Sequence, residues 1–484
     1  MADSLKRSLG LLDATNIVAG SMIGSGIFIV TTYMAQDIGA AGWILFLWLL
    51  TGVITITAAL SYGELASMMP KAGGQYVYIQ RAYGRLVSFL YGWAVFTVIQ
   101  TGVIAAVAVA FAKYASVFFP ELNTVLYTGS FLNFTYAQLL SIICIVLLTF
   151  INSRGIKNGK NVQLIFTSAK LIALLALIVL GLAIGFKSGM LAQNFSNMWE
   201  ASKTQVAKDG STFTIALSGF ALIGAMGATL INPLFSSDAW NNVTFIAGEI
   251  KDPVKNIPRS LFLGTLIVTI VYFLANVAYM SLLPIKGSPQ ATDVIGQGIM
   301  FASNDRVGTA AASIIFGNSA IYLMAALIMI STFGCNNGLI LAGARLFYAM
   351  AKDGLFLKKA QEVNDKQVPS KALWLQCGWA CVLCVSGQYG QLLTYSTFVS
   401  LLFYMLTIGG IFILRKKEPD ADRPYKVIGY PAIPVFYILI TAAIAIDLII
   451  YKPDETLWGL GIVLIGLPVY FFTSSKTTKQ RDMN

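Results

Sequence analysis

Apolar residues run for about 20 positions at a time, the length that crosses a bilayer as helix, and such runs recur from one end of the chain to the other. Polar clusters fall between the runs. Hydropathy predicts spans near 11–35, 42–69, 86–117, 137–152, 162–185, 226–249, 260–283, 318–350, 372–387, 391–414, 432–450 and 456–473. Backbone amides in hydrocarbon must be satisfied within the chain, so a spanning segment is either a helix or a strand of a closed barrel. Runs this long without alternation exclude the barrel, and the predicted fold class is all-α: a polytopic membrane protein of about twelve helices. Residues 1–484 are read as a single domain, with almost nothing left over for a soluble one.

Composition agrees, with 57% hydrophobic and 11% charged residues among 484. The formal charge of +11 raises nucleic acid as a partner, so the placement of the 33 Lys and Arg decides its meaning. Starting from an inside N-terminus, 25 fall on one side and seven on the other, with Lys170 alone inside a span. That bias is the positive-inside signature: both termini are predicted cytoplasmic and the partner is the lipid bilayer, not nucleic acid. The first apolar stretch carries Asp13, Asn16 and Ser21 and continues to about Val30, so it reads as a retained helix rather than a cleaved signal. Cys144, Cys335, Cys377, Cys381 and Cys384 all fall inside predicted spans, which argues against a disulfide framework or a metal site.

Two spans carry internal faults. The first contains Gly20-Ser21-Met22-Ile23-Gly24-Ser25-Gly26-Ile27-Phe28, and paired glycines around serine hold continuous helix poorly. The sixth contains Pro233-Leu234-Phe235-Ser236-Ser237-Asp238-Ala239-Trp240-Asn241-Asn242, with a carboxylate and two amides where apolar residues belong. Each fault opens a possible five-helix half, 11–186 and 226–415, and five spans per half give the two halves opposite orientation; 432–473 adds two helices. Matched interruptions are the best sequence pointer to a transporter's central site. A broken helix frees N–H groups at the start of one half-helix and C=O groups at the end of the other, and a zwitterion fits both. The expectation is an amino acid whose carboxylate meets amides near Ser25, Gly26 and Ile27 and whose ammonium meets carbonyls near Met22, Ile23, Phe235 and Ser236. Gly20 and Gly24 also have GxxxG spacing and could serve only close packing.

With these residues the chain resembles the amino acid–polyamine–organocation superfamily, and within it the L-type amino acid transporter group. The motifs are Gly24-Ser25-Gly26-Ile27-Phe28, Tyr62-Gly63-Glu64-Leu65, Trp240-Asn241-Asn242, Gly248-Glu249-Ile250-Lys251-Asp252-Pro253 and Asn256-Ile257-Pro258-Arg259. Asn337-Gly338, Ala344-Arg345-Leu346-Phe347 and Arg423-Pro424-Tyr425-Lys426 complete the set. The resemblance implies a leucine-transporter fold of two inverted five-helix repeats plus two helices, a sodium-independent exchanger or proton-linked permease, alternating access, and no cofactor. It matches Lys170 to a helix 5 lysine whose charge fills the place of a sodium ion, with helix 1 near Gly20 and Ser331, Thr332, Asn336 and Asn337 as expected neighbours. Snorkelling toward the inner end of helix 5 is the plain alternative. The resemblance also places Phe235 at the outer gate and Trp240 beside the substrate. Asp238 departs from the commonest pattern of a small residue there, and matches the branch that also accepts dibasic amino acids. It either pairs with a cationic side chain or caps the second half-helix. Glu64, Glu249 and Arg345, near cytoplasmic helix ends, are either state-dependent ion pairs or topology anchors.

Rival classes are weighed on the same residues. Without histidine, HExxH and Ser–His chemistry are excluded, and no GxGD pair of aspartates occurs, so no enzyme is expected. A transporter-like amino acid sensor and a permease for cationic amino acids or polyamines remain as alternatives. Light chains of this group pair through a cysteine between helices 3 and 4, and 119–138 holds none. The expectation is therefore no disulfide-linked heavy chain, and a monomer or weak homo-oligomer in a plasma or bacterial inner membrane. The stretch from Gly210 to Gly224 could extend helix 6 or lie along the outer surface.

Overall fold

The computed structural model describes residues 7–128, 133–207, 211–386 and 389–481. In chain order the helices are α1 (Leu11–Met22), α2 (Val30–Ile38), α3 (Ala41–Met68), α4 (Gln75–Tyr83), α5 (Arg85–Ala94) and α6 (Gln100–Ala115). The hairpin β1 (Val125–Thr128) and β2 (Asn133–Thr135) precedes α7 (Tyr136–Ser153), α8 (Ile156–Ser188) and α9 (Met190–Ser196). A second antiparallel hairpin, β3 (Ser202–Val206) and β4 (Thr212–Ala216), leads into α10 (Gly219–Ser236), α11 (Asn242–Phe245), α12 (Pro253–Leu282), α13 (Val294–Gln297) and α14 (Val307–Phe316). The chain closes with α15 (Ala320–Lys352), α16 (Ser370–Ser386), α17 (Tyr389–Lys417), α18 (Ala432–Tyr451) and α19 (Pro453–Arg481).

Among the described residues ten helices are long and apolar enough to cross a membrane; the broken first segment and the shorter α16 fill the remaining two places among the expected twelve. The third span is one rod, Arg85–Ala115, containing a π turn at Val95–Ile99. Three starts differ from the hydropathy reading: α10 begins at Gly219 rather than near 226, α12 at Pro253 rather than near 260, and α8 at Ile156 rather than near 162. Lys157, Asn158 and Lys160 at the start of α8, and Lys255, Asn256 and Arg259 at the start of α12, hide those two starts from hydropathy, whereas α10 opens on the apolar Gly219-Phe220-Ala221-Leu222 and takes the option of extending helix 6. The stretch after Ser211 resolves into β4 and the first turn of α10; Gly210 lies outside the described residues.

Local signals explain the ends. Thr135 caps α7 by accepting from the Gln138 amide at 3.2 Å, while the Gln138 side chain accepts from the Thr135 amide at 2.8 Å, a reciprocal capping box. On α8, Ile165, Ile172, Val179 and Phe186 recur every seven residues and are all more than 60% exposed, an apolar stripe that only lipid can cover. Lys170 lies two residues before Ile172, about 200° round the helix, and so points inward. Its face packs on α1, α12 and α15. Glycines let these helices approach closely: a Cβ at Gly264 of α12 would fall 2.4 Å from a methyl of Val18 in α1. The end of α1 is thus packed by α8, α12 and α15, and α10 packs against the turn that follows it.

Candidate substrate site at two broken helices

The first segment breaks where the glycines fall. α1 ends at Met22, Ile23 turns extended at φ −77° and ψ 94°, and a 3-10 turn over Gly26–Phe28 precedes α2. Gly20 is still helical while Gly24 lies in the break, so the pair does not line one continuous packing face. The sixth segment breaks as α10 ends at Ser236; Ser237 to Asn241 leave the helix before the single turn of α11. Ala239 holds a left-handed backbone, φ +65°, a conformation that costs a residue with a Cβ about 1 kcal/mol or more.

The two breaks touch. A Cβ on Gly26 would fall 2.2 Å from Ser236 Oγ and 2.8 Å from Ser236 Cβ, so only glycine fits at that crossing. The Tyr272 hydroxyl of α12 lies 3.1 Å from the Met22 carbonyl and 3.2 Å from the Ser236 carbonyl. It has one proton and donates to one of them at a time. Nearby, Thr31 of α2 donates to Asn276 of α12 at 2.6 Å.

Lys170 does not run toward the helix end. Its ammonium is buried and donates to the carbonyls of Gly20 at 2.6 Å and Ile23 at 2.5 Å, the orphaned C-terminal carbonyls of α1. A cation at a helix C-terminus is where the dipole favours one. Of the four α15 neighbours expected, Ser331 joins this cluster, reaching the Ile23 and Gly24 carbonyls at 3.2 Å each. Thr332 bonds within its own helix, Asn336 donates to the Ile104 carbonyl, and Asn337 accepts from Asn152. Cys335, not expected, donates its thiol to the Ser21 carbonyl at 3.0 Å. The Ile23 oxygen therefore already accepts from two donors.

The sixth break is held by side chains instead. Tyr404 of α17 donates to Asp238 at 2.6 Å and lies 3.3 Å from Asn241, whose amide donates to Gln75 at 2.8 Å. Tyr91 also donates to Gln75, at 2.9 Å, and Gln75 donates to Thr407. Asp238 does not cap the second half-helix, whose N-cap position is Asn241. It lines two small cavities, one with Thr55, Ser237 and Tyr437, the other with Gln75, Tyr91 and Asn241. Trp240 packs edge-on to Tyr62, ring centres 4.7 Å apart, and against Tyr404 at 5.4 Å. Phe235 ends buried in the last turn of α10. Met22, Ile23, Gly24, Ser25, Gly26, Ile27, Phe235 and Ser236 thus share one crossing, while Asp238 and Trp240 sit a few residues on among aromatic rings. Tyr272, Cys335, Tyr404, Gln75 and Tyr91 were legible only as ordinary helical residues, because nothing local marks them.

At one end of the bundle, buried Glu249 pairs with fully buried Arg345 at 2.9 Å, and the main chain at Leu9 pairs with Ile250 beside it. Glu64 accepts from Arg415 at 2.9 and 2.6 Å, has Arg423 at 3.6 Å, and accepts from the Val427 amide. Arg81 reaches Glu418 outside the spans, and that hydrogen bond holds the Glu418 carboxyl below its ordinary range.

The amino acid permease family matches residues 9–472. A mouse protein, Large neutral amino acids transporter small subunit 2 (Mus musculus), is 32% identical over 473 residues, 97% of this chain and 81% of that one. The Asc-type amino acid transporter 1 of Mus musculus is 29% identical over 97% of this chain and 81% of its own length, and the b(0,+)-type amino acid transporter 1 of Homo sapiens 29% over 97% and 88%. The first of these is named a small subunit, and that name speaks against the expectation of no disulfide-linked heavy chain. All five cysteines are free and lie within helices, but a partner can be held by other contacts. Sequence match, apolar helices and the paired breaks agree: the chain is an integral membrane protein of a transporter family rather than an enzyme family, and it belongs to the amino acid permeases of the amino acid–polyamine–organocation superfamily.

Proposed function

We propose that this chain carries amino acids across the membrane without sodium, by alternating access, as an exchanger or proton-linked permease. The single observation behind the sodium-free reading is the Lys170 ammonium on the Gly20 and Ile23 carbonyls: a fixed cation fills a place where a mobile one would otherwise satisfy the end of α1. The substrate carboxylate meets the amides of Gly26 and Ile27 together with Ser25, since the first N–H groups of a helical turn have no acceptor behind them. The ammonium takes lone pairs on the Met22 and Ser236 carbonyls, because the one Tyr272 proton serves only one of these at a time. Phe235 closes over the bound molecule, and Trp240 walls the side-chain pocket. Two five-helix halves of opposite orientation rock about this crossing, and Glu64, Glu249 and Arg345 lock the end bearing both termini, which faces the cytoplasm of a plasma or bacterial inner membrane.

A second reading, a preference for cationic side chains, is favoured by Asp238, a carboxylate that borders two cavities instead of capping a helix. Counterflow in proteoliposomes tests the main reading: preloaded unlabelled amino acid should drive uptake of labelled amino acid without sodium. Binding without flux would instead identify a sensor.

A further inference from the structure

Away from the crossing, a groove opens between α3, α12 and the loop before α18. Its rim carries Lys255 and Arg259, one turn apart on the same face of α12 and both exposed. Neither side chain has a hydrogen-bond or ion-pair partner among the described residues. Its floor is apolar: Leu60, Pro258, Phe262 and Ile428, with Ile428 64% exposed. Phe262 lies three residues beyond Arg259 and seven beyond Lys255 on α12, so the floor reaches roughly 5–10 Å below the rim cations along the helix. The Tyr425 hydroxyl in the wall is buried without a partner.

Cations at the rim above an apolar trough match one molecule, a charged head on a hydrocarbon tail. We propose that this groove binds an anionic phospholipid, the phosphate on Lys255 and Arg259 and an acyl chain along Phe262, Leu60 and Ile428. The same wall is the latch on α3: the Val427 amide donates to Glu64 at 2.9 Å and the Tyr425 amide to Ser67 at 3.3 Å. A lipid seated here braces the 424–428 loop against α3, and with it the Glu64–Arg415 pair. The proposal does not depend on the transport reading, because its test reads lipid and not flux.

Native mass spectrometry of the full chain with phosphatidylglycerol or phosphatidylcholine provides that test. Phosphatidylglycerol should be retained preferentially, and K255Q/R259Q should weaken it by roughly fivefold for each lost charge. K358Q/K359Q, an exposed pair elsewhere, should leave retention unchanged, and I428E should lower it with both rim cations intact. Equal loss in the K358Q/K359Q control, or no loss in K255Q/R259Q, would overturn the site. Displacement of the lipid by soluble glycerol phosphate at the same headgroup concentration would also overturn it, since the apolar floor would then contribute nothing. All variants alter exposed side chains, and size-exclusion profiles matching the parent confirm that the fold is retained.

Discussion

The two breaks solve the same problem by opposite means. In the first, backbone carbonyls are freed and four side chains from elsewhere, Lys170, Ser331, Cys335 and Tyr272, converge on them. In the sixth, the break carries its own polar side chains, Asp238 and Asn241, and tyrosine and glutamine from α17 and α4 answer them. The first is thus defined by peptide groups, which under the proposed function any amino acid could use. The second is defined by side chains, which can be exchanged to suit a particular substrate without disturbing the crossing. The proposed function then divides common recognition and individual selectivity between the two.

The sharpest way to break that division is Lys170→Ala. Removing the ammonium leaves the buried Gly20 carbonyl bare and Ile23 with one donor, a loss of two charge-assisted hydrogen bonds at about 1.5–3 kcal/mol each. Transport of every substrate should fall by more than a hundredfold and the melting temperature should drop; unchanged uptake would remove the lysine from the mechanism. Next is Gly26→Ala, whose methyl meets Ser236 and should cost about 1–3 kcal/mol of strain at the crossing, or roughly 10–100-fold in transport. Adding Ser236→Gly removes the clashing atoms and should restore part of the loss, which a general folding defect would not permit.

Asp238→Asn probes the other break and should spare the first. Lysine and arginine transport should weaken by about tenfold, the scale of one hydrogen bond to a charged group, while alanine and leucine transport stays within about twofold. Equal losses for all four would mean that Asp238 only supports the fold. The smallest effect belongs to neither break. Glu418 has its carboxyl pKa lowered by the hydrogen bond from Arg81, so its contribution is present above the unfolded-state pKa and is lost as pH falls through the folded value. With Arg81 39% and Glu418 32% exposed, Glu418→Gln should flatten the acid limb of a stability profile by well under about 1 kcal/mol.

Much of the architecture was legible because hydrocarbon imposes it: long apolar runs and asymmetric loop charges name spans before any packing is known. The breaks were legible too, since Gly24 and Gly26, and Asp238 beside Pro233, contradict the helices around them. What was hidden is long-range. Lys170 announced itself by its charge, yet Cys335 and Tyr272 look like ordinary helix interior and matter only because folding brings them to the carbonyls of Ser21, Met22 and Ser236. The β1–β2 and β3–β4 hairpins were missed because they are short and lie between spans, where hydropathy has no signal. Asp238 was left between a cap and a ligand, and the position of Asn241 at the start of α11 decides only against the cap.

The central claim is that a lysine stands where a sodium ion would otherwise complete the end of α1. Initial uptake of labelled amino acid into proteoliposomes, with sodium replaced stepwise by choline at constant ionic strength, tests it most directly. The rate should stay flat across the whole series. A rate that climbs steeply with sodium would mean that the ion has its own site and that Lys170 does not replace it.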